Sequence, residues 1–256
     1  MMHAFTLYHH PLSVCSMKAR LALEEKGVAW TSREIDIVHT QEQLEPWYLN
    51  LNPKGVVPTL TDANGETKVI TNSATIIRYV ASLGEGNDLL PASNDDMQRM
   101  EKLITLADHI DLQILSYARH PSMEKSEKIL DARIEKSIAL GKKHPEFEEA
   151  YKVCAERSLK NKNFRVDPEY VGQIEKDAYA SLSTAESQLA KSSYLIGETY
   201  TLADVIWTVV LSRLELLGYD DWISQENFPS IASYYQKMKN RKSFSDANIQ
   251  NQWWQK

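Results

Sequence analysis

The first eighty or so residues alternate between two hydrophobic periods. Apolar and polar positions that alternate over a short stretch predict a strand, and apolar positions three and four apart predict a helix. Asp62-Ala63-Asn64-Gly65 predicts the turn of a hairpin. The predicted strands and helices follow the order β-α-β and then β-β-α, over residues 4–8, 15–26, 30–37, 56–60, 68–70 and 75–83.

This order predicts a thioredoxin-like α/β unit, in which a crossover unit is followed by a hairpin unit. Residues 84–91 are rich in glycine, asparagine and proline, which is typical of a linker. We expect a thioredoxin-like domain over residues 1–84 and an all-helical domain over residues 92–256. The predicted fold class is therefore α+β.

Helical periodicity dominates the chain beyond the linker. Apolar residues recur at helical spacing from Met100 to Leu115, which predicts one long helix over 97–115, and again from Ile174 to Leu189. Residues 124–163 are rich in lysine and glutamate, with a predicted break at His144-Pro145. We interpret this stretch as a solvated helical excursion.

Composition narrows the classes of function. A formal net charge of −6 argues against a general nucleic-acid surface, and no run approaches the roughly 20 apolar residues that cross a bilayer. The first residues lack the long apolar core of a signal peptide. The two cysteines, Cys15 and Cys154, do not form a disulfide framework. We expect a reduced, cytoplasmic protein that binds no metal, membrane or nucleic acid.

Cys15 is the first candidate for chemistry, because it lies at the predicted start of a helix. Free backbone N–H groups and the helix dipole favour a thiolate there, and Lys18 adds positive charge. Lys18 also occupies the second cysteine position of a Cys-x-x-Cys motif, so any redox cycle needs a thiol from outside the chain. The alternative is a small buried residue that packs the strand–helix junction.

The stretch Asn52-Pro53-Lys54-Gly55-Val56-Val57-Pro58 is the second candidate. A proline that opens a strand removes a ladder donor, but it fits a tight turn with a cis bond. In a thioredoxin-like unit, this turn lies beside the start of the first helix. The backbone of Val57 would then be free to pair with an extended peptide. The alternative is an edge-strand proline without a ligand.

Two helix starts carry polar residues. Asn72 or Ser73 caps the helix that follows, or the pair binds a carboxylate at the same N-terminus. Thr201 and Asp204 have the spacing of a capping box at the start of a very apolar helix. We interpret this box as structural.

Taken together, these motifs resemble the cytosolic glutathione transferase superfamily across essentially the whole chain. Within it, the chain is most similar to the tetrachlorohydroquinone reductive dehalogenase subgroup, which also shares a long helical domain. The segments that carry this closer resemblance are residues 13–22, 56–60, 69–73, 202–208 and 234–244.

The resemblance implies a glutathione transferase fold with glutathione as co-substrate. Cys15 aligns with the catalytic cysteine of the subgroup, and Ser13 with the serine that hydrogen-bonds the glutathione sulfur in related classes. The remaining implied contacts to glutathione divide by its parts: Val57 with Pro58 for the cysteinyl backbone, Asn72 with Ser73 for the γ-glutamyl end, and Lys54 or Gln41 for the glycyl carboxylate. Asn72 departs from the Glu or Gln usual in the superfamily.

The resemblance also implies an enzyme that uses glutathione and a cysteine nucleophile on small, hydrophobic aromatic or quinoid electrophiles, by reductive dehalogenation. Alternatives are a thiol–disulfide reductase, a cis–trans isomerase or a non-catalytic interaction module. A homodimer is implied as well. We expect the acceptor pocket between the domains, where the 9–12 segment faces a helix over 108–120 whose candidate proton-transfer residues are His109, Tyr117 and His120.

Overall fold

The computed structural model describes residues 5–62 and 68–250. The strands within these ranges are β1 (Phe5–His9), β2 (Trp30–Glu34), β3 (Thr59–Asp62) and β4 (Val69–Ile70). The helices are α1 (Val14–Lys26), α2 (Pro46–Leu51), α3 (Ser73–Ala81), α4 (Asn94–His109), α5 (Leu112–Ala118), α6 (Met123–Lys143), α7 (Glu148–Phe164), α8 (Pro168–Leu189), α9 (Leu202–Leu216), α10 (Pro229–Lys239) and α11 (Lys242–Asp246).

The four strands form one sheet in the order β2-β1-β3-β4. Strand β1 pairs parallel with β2 and antiparallel with β3, and β3 pairs antiparallel with β4. The parallel pair is joined through α1, as the predicted β-α-β unit requires. The predicted thioredoxin-like layout followed by helices is confirmed, whereas the predicted hairpin turn at residues 63–65 lies outside the described residues.

Three predicted boundaries are wrong in detail. Strand β3 begins at Thr59, because the Val57–Pro58 bond is cis and makes a turn ahead of the strand. Strand β2 ends at Glu34, before the predicted 37. The predicted helix over 97–115 is two helices: Ile110 is extended and ends α4, and the Asp111 carboxylate caps α5 through the N–H of Ile114, at 3.0 Å.

One hydrophobic core runs through both parts of the chain. It extends from Phe5 in β1, through α1 and α3, to the helices on the other side of the linker. Helix α9 is buried on almost all its faces between α1 and α4, and the indole of Trp207 donates to the carbonyl of Leu103 at 3.0 Å. The predicted capping box of Thr201 and Asp204 is present at its start. Within the described residues, no helix has the length and apolar character needed to span a membrane.

The segment between α3 and α4, which contains the predicted linker, is held against the end of α1. The amide of Asn87 donates to the carbonyl of Lys26 at 2.9 Å, and its side chain donates to the carbonyl of Glu25 at 2.9 Å. Gly86 has a φ of +79°, and a Cβ there would lie 1.9 Å from the Lys26 oxygen. Glycine is required at this position because it alone permits the close approach.

Helices α6 and α7 form the predicted excursion, with the break at His144-Pro145. The prediction of a solvated excursion is wrong for one face, which packs against the segment around α2. Tyr151 and Cys154 are buried there, and the Tyr151 hydroxyl donates to the carbonyl of Leu44 at 3.0 Å. The excursion therefore supports the α/β part of the molecule.

We expect Asp204→Ala to destabilise the fold by roughly 3 kcal/mol or more, because it leaves several buried donors without an acceptor. These are the amides of Leu195 and Thr201, at 3.1 and 2.8 Å, and the Tyr234 hydroxyl, at 3.0 Å. Urea unfolding followed by circular dichroism measures the loss. Asp177→Ala, on the exposed side of α8, is the matched control, and an equal effect of the two substitutions would contradict this account.

Candidate active site

The N-terminus of α1 presents Ser13 and Cys15. The Ser13 hydroxyl caps the helix by accepting from the amide of Ser16 at 3.2 Å, so its own proton remains available for donation. Cys15 is exposed in the first turn, among backbone N–H groups that the helix leaves unpaired. This placement excludes the alternative of a buried packing cysteine and leaves the sulfur open to a ligand.

The turn before β3 is braced from beneath by two buried side chains. The Tyr48 hydroxyl and the Asn52 amide both donate to the carbonyl of Val56, at 2.8 and 2.7 Å, and both contact the Thr59 hydroxyl at 3.1 Å. Burial raises the pKa of Tyr48 to about 12, so the phenol keeps its proton. The brace leaves the backbone N–H and C=O of Val57 without a hydrogen-bond partner in the described part of the chain.

Asn72 caps α3, as the structural interpretation predicted. Its side-chain oxygen accepts from the amides of Ala74 and Thr75, at 2.9 and 3.2 Å. Within residues 5–62 and 68–250, the Ser73 hydroxyl has no hydrogen-bond partner. Ser73 is therefore free to donate to an anionic group at this helix end, whereas the Asn72 oxygen is already used.

The two residues suggested for the glycyl carboxylate differ in access. Lys54 is exposed beside the braced turn. Gln41 is 1% exposed, and its oxygen accepts from Gln43 at 2.9 Å and from Arg133 at 2.8 Å. Its amide nitrogen donates to the carbonyl of Val38 at 2.9 Å. The Gln41 side chain thus ties α6 to the α/β part, and a ligand cannot reach it.

A buried arginine organises the segment ahead of Ser13. Arg20 of α1 is 3% exposed and donates to the carbonyls of His10 and Pro11, at 3.2 and 3.1 Å. It also donates to the carbonyl of Ala247 at 2.7 Å, which holds the end of the helical part against α1. Burial lowers the pKa of Arg20 to about 10, so it remains charged at neutral pH.

The two histidines of this segment are uncharged in the folded protein. His9 accepts from Arg20 at 3.2 Å and donates to the Ser32 hydroxyl at 2.7 Å, which fixes the proton on its Nε2. Burial and the neighbouring Arg20 lower the pKa of His9 to about 3. Burial lowers the pKa of His10 to about 4. His9 is 3% exposed, and both of its ring nitrogens are bound by Ser32 and Arg20, so its ring is not open to a substrate as the sequence had suggested.

The other candidates for proton transfer are divided between α4, α5 and the segment that follows α5. His109 is exposed at the end of α4, and the Tyr117 hydroxyl accepts from Arg133 at 3.2 Å. His120 accepts from the amide of Ser122 at 2.9 Å, next to the start of α6. The prediction that they face the 9–12 segment from a single helix is wrong, because that helix is interrupted at residues 110–111. In the described residues, no group of histidine, cysteine and carboxylate side chains is arranged to hold a metal.

Positive charge near Cys15 comes from a residue that the sequence reading missed. Lys18 forms an ion pair with Asp108 of α4 at 2.6 Å, so its charge is neutralised locally. Arg213 of α9 instead interacts electrostatically with Cys15 and donates to the carbonyl of Leu12. The signal in the sequence was that Arg213 is the only basic residue of the largely apolar run 202–216.

Two family models match the chain. The model for the N-terminal domain of glutathione S-transferases matches residues 12–83, and the model for their C-terminal domain matches residues 148–237. The chain is 34% identical over 248 residues to the tetrachloro-p-hydroquinone reductive dehalogenase of Sphingobium chlorophenolicum, and the match covers 97% of each protein. It is 27% identical to the 2,5-dichlorohydroquinone reductive dechlorinase of Sphingobium indicum, over 96% of this chain and 82% of that protein.

Among solved structures, the fold is similar to that of the beta-etherase LigF from Sphingobium sp. strain SYK-6. The TM-score is 0.76 at 22% sequence identity, and the match covers 98% of this chain and 100% of that one. This likeness concerns the fold, including the helical part that carries the excursion.

We expect His9 to make the fold sensitive to acid. Because the pKa of His9 is about 3 in the folded protein and the ordinary pKa of histidine is 6.5, the unfolded chain binds a proton that the folded chain rejects. The stability that neutral His9 contributes is present above pH 6.5 and is lost as the pH falls toward 3, by about 1.4 kcal/mol per pH unit at most.

Urea unfolding of the parent and of His9→Asn between pH 7.5 and 4 tests this sensitivity. The variant is expected to be less stable at pH 7.5, where a hydrogen bond is lost, but to show a shallower decline in the free energy of unfolding. His109→Asn, at an exposed site on α4, is the matched control and should keep the parent slope. If the free energy of unfolding declines with falling pH at the same slope in His9→Asn and in the parent, His9 is not the source of the acid sensitivity.

Proposed function

Because the chain belongs to the glutathione S-transferase family, we propose that it is a glutathione-dependent reductive dehalogenase of halogenated hydroquinones. The observation that carries the proposal is the exposed Cys15 thiol in the first turn of α1, beside the Ser13 hydroxyl. The similarity of nearly the whole chain to two enzymes named for hydroquinone dehalogenation supports the substrate class.

Glutathione is proposed to lie along the braced turn and the N-terminal ends of α1 and α3. Its cysteinyl backbone pairs with the free N–H and C=O of Val57, next to Pro58, as a short added strand. The Ser73 hydroxyl donates to the γ-glutamyl carboxylate at the start of α3. Lys54 is the exposed cation for the glycyl carboxylate.

The first chemical step is proposed to be substitution of the halide. The Ser13 hydroxyl donates a hydrogen bond to the glutathione sulfur and stabilises its thiolate. This thiolate forms a bond to the ring carbon, the carbon–halogen bond breaks, and the halide leaves with the bonding pair. The product of the step is a glutathionyl hydroquinone.

The second step uses Cys15 as nucleophile. Its thiolate attacks the glutathione sulfur of the conjugate, the sulfur–carbon bond breaks, and the ring carbon takes the electron pair and a proton. The reduced hydroquinone leaves, and Cys15 remains as a mixed disulfide with glutathione. A second glutathione thiolate attacks the glutathione sulfur of that disulfide, which releases glutathione disulfide and restores the Cys15 thiolate.

This cycle requires a reduced Cys15 and an ample supply of glutathione. We therefore include a cytoplasmic location in the proposal, since glutathione keeps thiols reduced in that compartment. The thiol–disulfide reductase, isomerase and interaction-module alternatives are distinguished by the measurements below.

We expect Cys15→Ser to stop the cycle after substitution. With tetrachlorohydroquinone and glutathione, this variant should accumulate the glutathionyl conjugate and release no reduced product, since no sulfur is present to attack it. Ser13→Ala is the matched comparison, because it removes the donor to glutathione and leaves Cys15 in place. It should slow substitution by roughly 10–100-fold, the size of a lost charge-assisted hydrogen bond.

Liquid chromatography with mass detection follows the conjugate, the reduced product and a glutathionyl adduct on Cys15. Normal release of reduced product by Cys15→Ser would exclude the proposed reductive step. Turnover of disulfides or maleyl compounds, with none of halogenated hydroquinones, would favour the reductase or isomerase alternative. Absence of both turnover and the adduct would favour the interaction module.

We propose that the chain forms a homodimer that joins the α/β part of one subunit to the helical part of the other. The proposal follows from the family and from the short edge strand β4, where Val69 is 44% exposed. Symmetric pairing of like subunits is the commonest way to cover such a surface.

Light scattering should give twice the chain mass of 29.3 kDa at micromolar concentration, and Val69→Lys should shift the measured mass toward that of the monomer. A monomer mass for the parent would contradict the dimer.

A further inference from the structure

Arg213 is a charged residue inside an apolar helix. It lies near the end of α9 and is 2% exposed. Its guanidinium donates to the backbone carbonyl of Leu12 and to the Ser116 hydroxyl at 3.4 Å, and it lies 3.9 Å from the sulfur of Met17. Leu12 and Met17 flank the turn that carries Cys15, so the guanidinium lies directly behind that turn.

Arg213 also lacks the partners that a buried arginine usually has. Its Nε is buried and has no hydrogen-bond partner among the residues that the structure describes. In the same residues, no carboxylate forms an ion pair with it, and the carboxylate of Asp108 on α4 is paired with Lys18. Burying an unpaired charge destabilises a fold. Such a residue, placed behind a nucleophile, points to a role in the reaction.

Cys15 is the acidic group that acts on Arg213. Burial lowers the pKa of Arg213 to about 10, and the interaction with Cys15 opposes that shift. Arg20 of α1 is a second cation close enough to be affected by Arg213. The N–H groups of Arg20 donate to backbone carbonyls and to His9. Arg213, by contrast, receives only one acceptor from α5, the Ser116 hydroxyl.

We propose that Arg213 is a positioning residue that holds Cys15 in its thiolate form and fixes the turn ahead of it through Leu12. The inference deepens the proposed function and rests on it for the purpose of the thiolate. Cys15 acts as nucleophile toward the conjugate and then as leaving group when the second glutathione attacks. A fixed positive charge stabilises the thiolate in both roles, and burial in α9 keeps that charge from being screened.

The test is the pH dependence of Cys15 alkylation by iodoacetamide, which requires neither glutathione nor a halogenated substrate. Mass spectrometry of the modified peptide separates Cys15 from the buried Cys154. We expect Arg213→Met to raise the midpoint by about one pH unit, which is a roughly tenfold slower reaction below the midpoint. Arg213→Lys, which keeps the charge, should restore most of the parent rate.

Lys18→Met combined with Asp108→Asn is the matched control, since it removes a neutral ion pair as a whole, and it should leave the midpoint unchanged. Thermal unfolding is measured in parallel. Because Arg213→Met removes a buried charge without an ion-pair partner and also a hydrogen bond to the Leu12 carbonyl, the two effects oppose each other and its melting temperature should stay close to that of the parent. A purely structural arginine would instead lose stability and leave the midpoint unmoved.

An unchanged midpoint in folded Arg213→Met overturns the inference. If that variant does not fold, Arg213→Gln replaces it, because glutamine keeps a donor for the Leu12 carbonyl without the charge. A raised midpoint in Arg213→Gln with a parent-like Arg213→Lys supports the inference. Failure of both uncharged variants to fold, while Arg213→Lys folds, shows that the charge is structural and overturns it.

The proposed function and this inference fail separately. If the parent does not dehalogenate hydroquinones but the Arg213 variants shift the alkylation midpoint, the proposed function falls and the role of Arg213 toward Cys15 stands. If turnover is normal and the midpoint does not move, the proposed function stands and the inference falls.

Discussion

Helix α1 packs between the sheet and the helical part of the chain, and both the fold and the candidate site depend on this placement. It contacts α3 on one side and α9 on the other. Because it is surrounded, even its charged residues are buried: Lys18, Arg20 and Glu25 are 8%, 3% and 5% exposed. Each needs a partner, and those partners lie on other elements. The burial of one helix thus connects the two parts of the molecule.

Two of these partnerships extend across nearly the whole sequence. Glu25 is held by Arg241 through two hydrogen bonds, at 2.6 and 2.5 Å, and Arg241 stacks on the ring of Tyr200 at 4.1 Å. Arg20 binds the carbonyl of Ala247, just after α11. Since these contacts join α1 to the last helices, opening the end of the chain would disturb the turn that precedes Ser13. The reactive end of α1 is therefore coupled to residues far from it in sequence.

Local patterns in the sequence were sufficient for the elements and for the exposed groups of the candidate site. The Val57–Pro58 turn, the cap at Asn72 and the box at Thr201 depend on residues close together in the chain, so their signals are local. The missed features are long-range. No local sequence pattern shows that Arg133 of α6 donates a hydrogen bond to the Gln41 side chain, or that Arg213 donates one to the carbonyl of Leu12. The break at Asp111 was missed because apolar spacing continues through it.

Two different elements support the two parts of the candidate site. One supports the turn at Gly55, and the other supports the segment around Cys15. The α6–α7 excursion contacts the turn that is proposed to bind glutathione: Cys154 lies beneath this turn at Gly55, where a Cβ would be 3.0 Å from its sulfur. Helix α9 contacts the cysteine side through Arg213. The exposed residues around Cys15 take part in neither of these two sets of contacts. A change of electrophile can therefore arise from substitutions at these exposed residues, while the residues proposed to bind glutathione and to position Cys15 stay intact, which is consistent with one fold serving relatives named for different substrates.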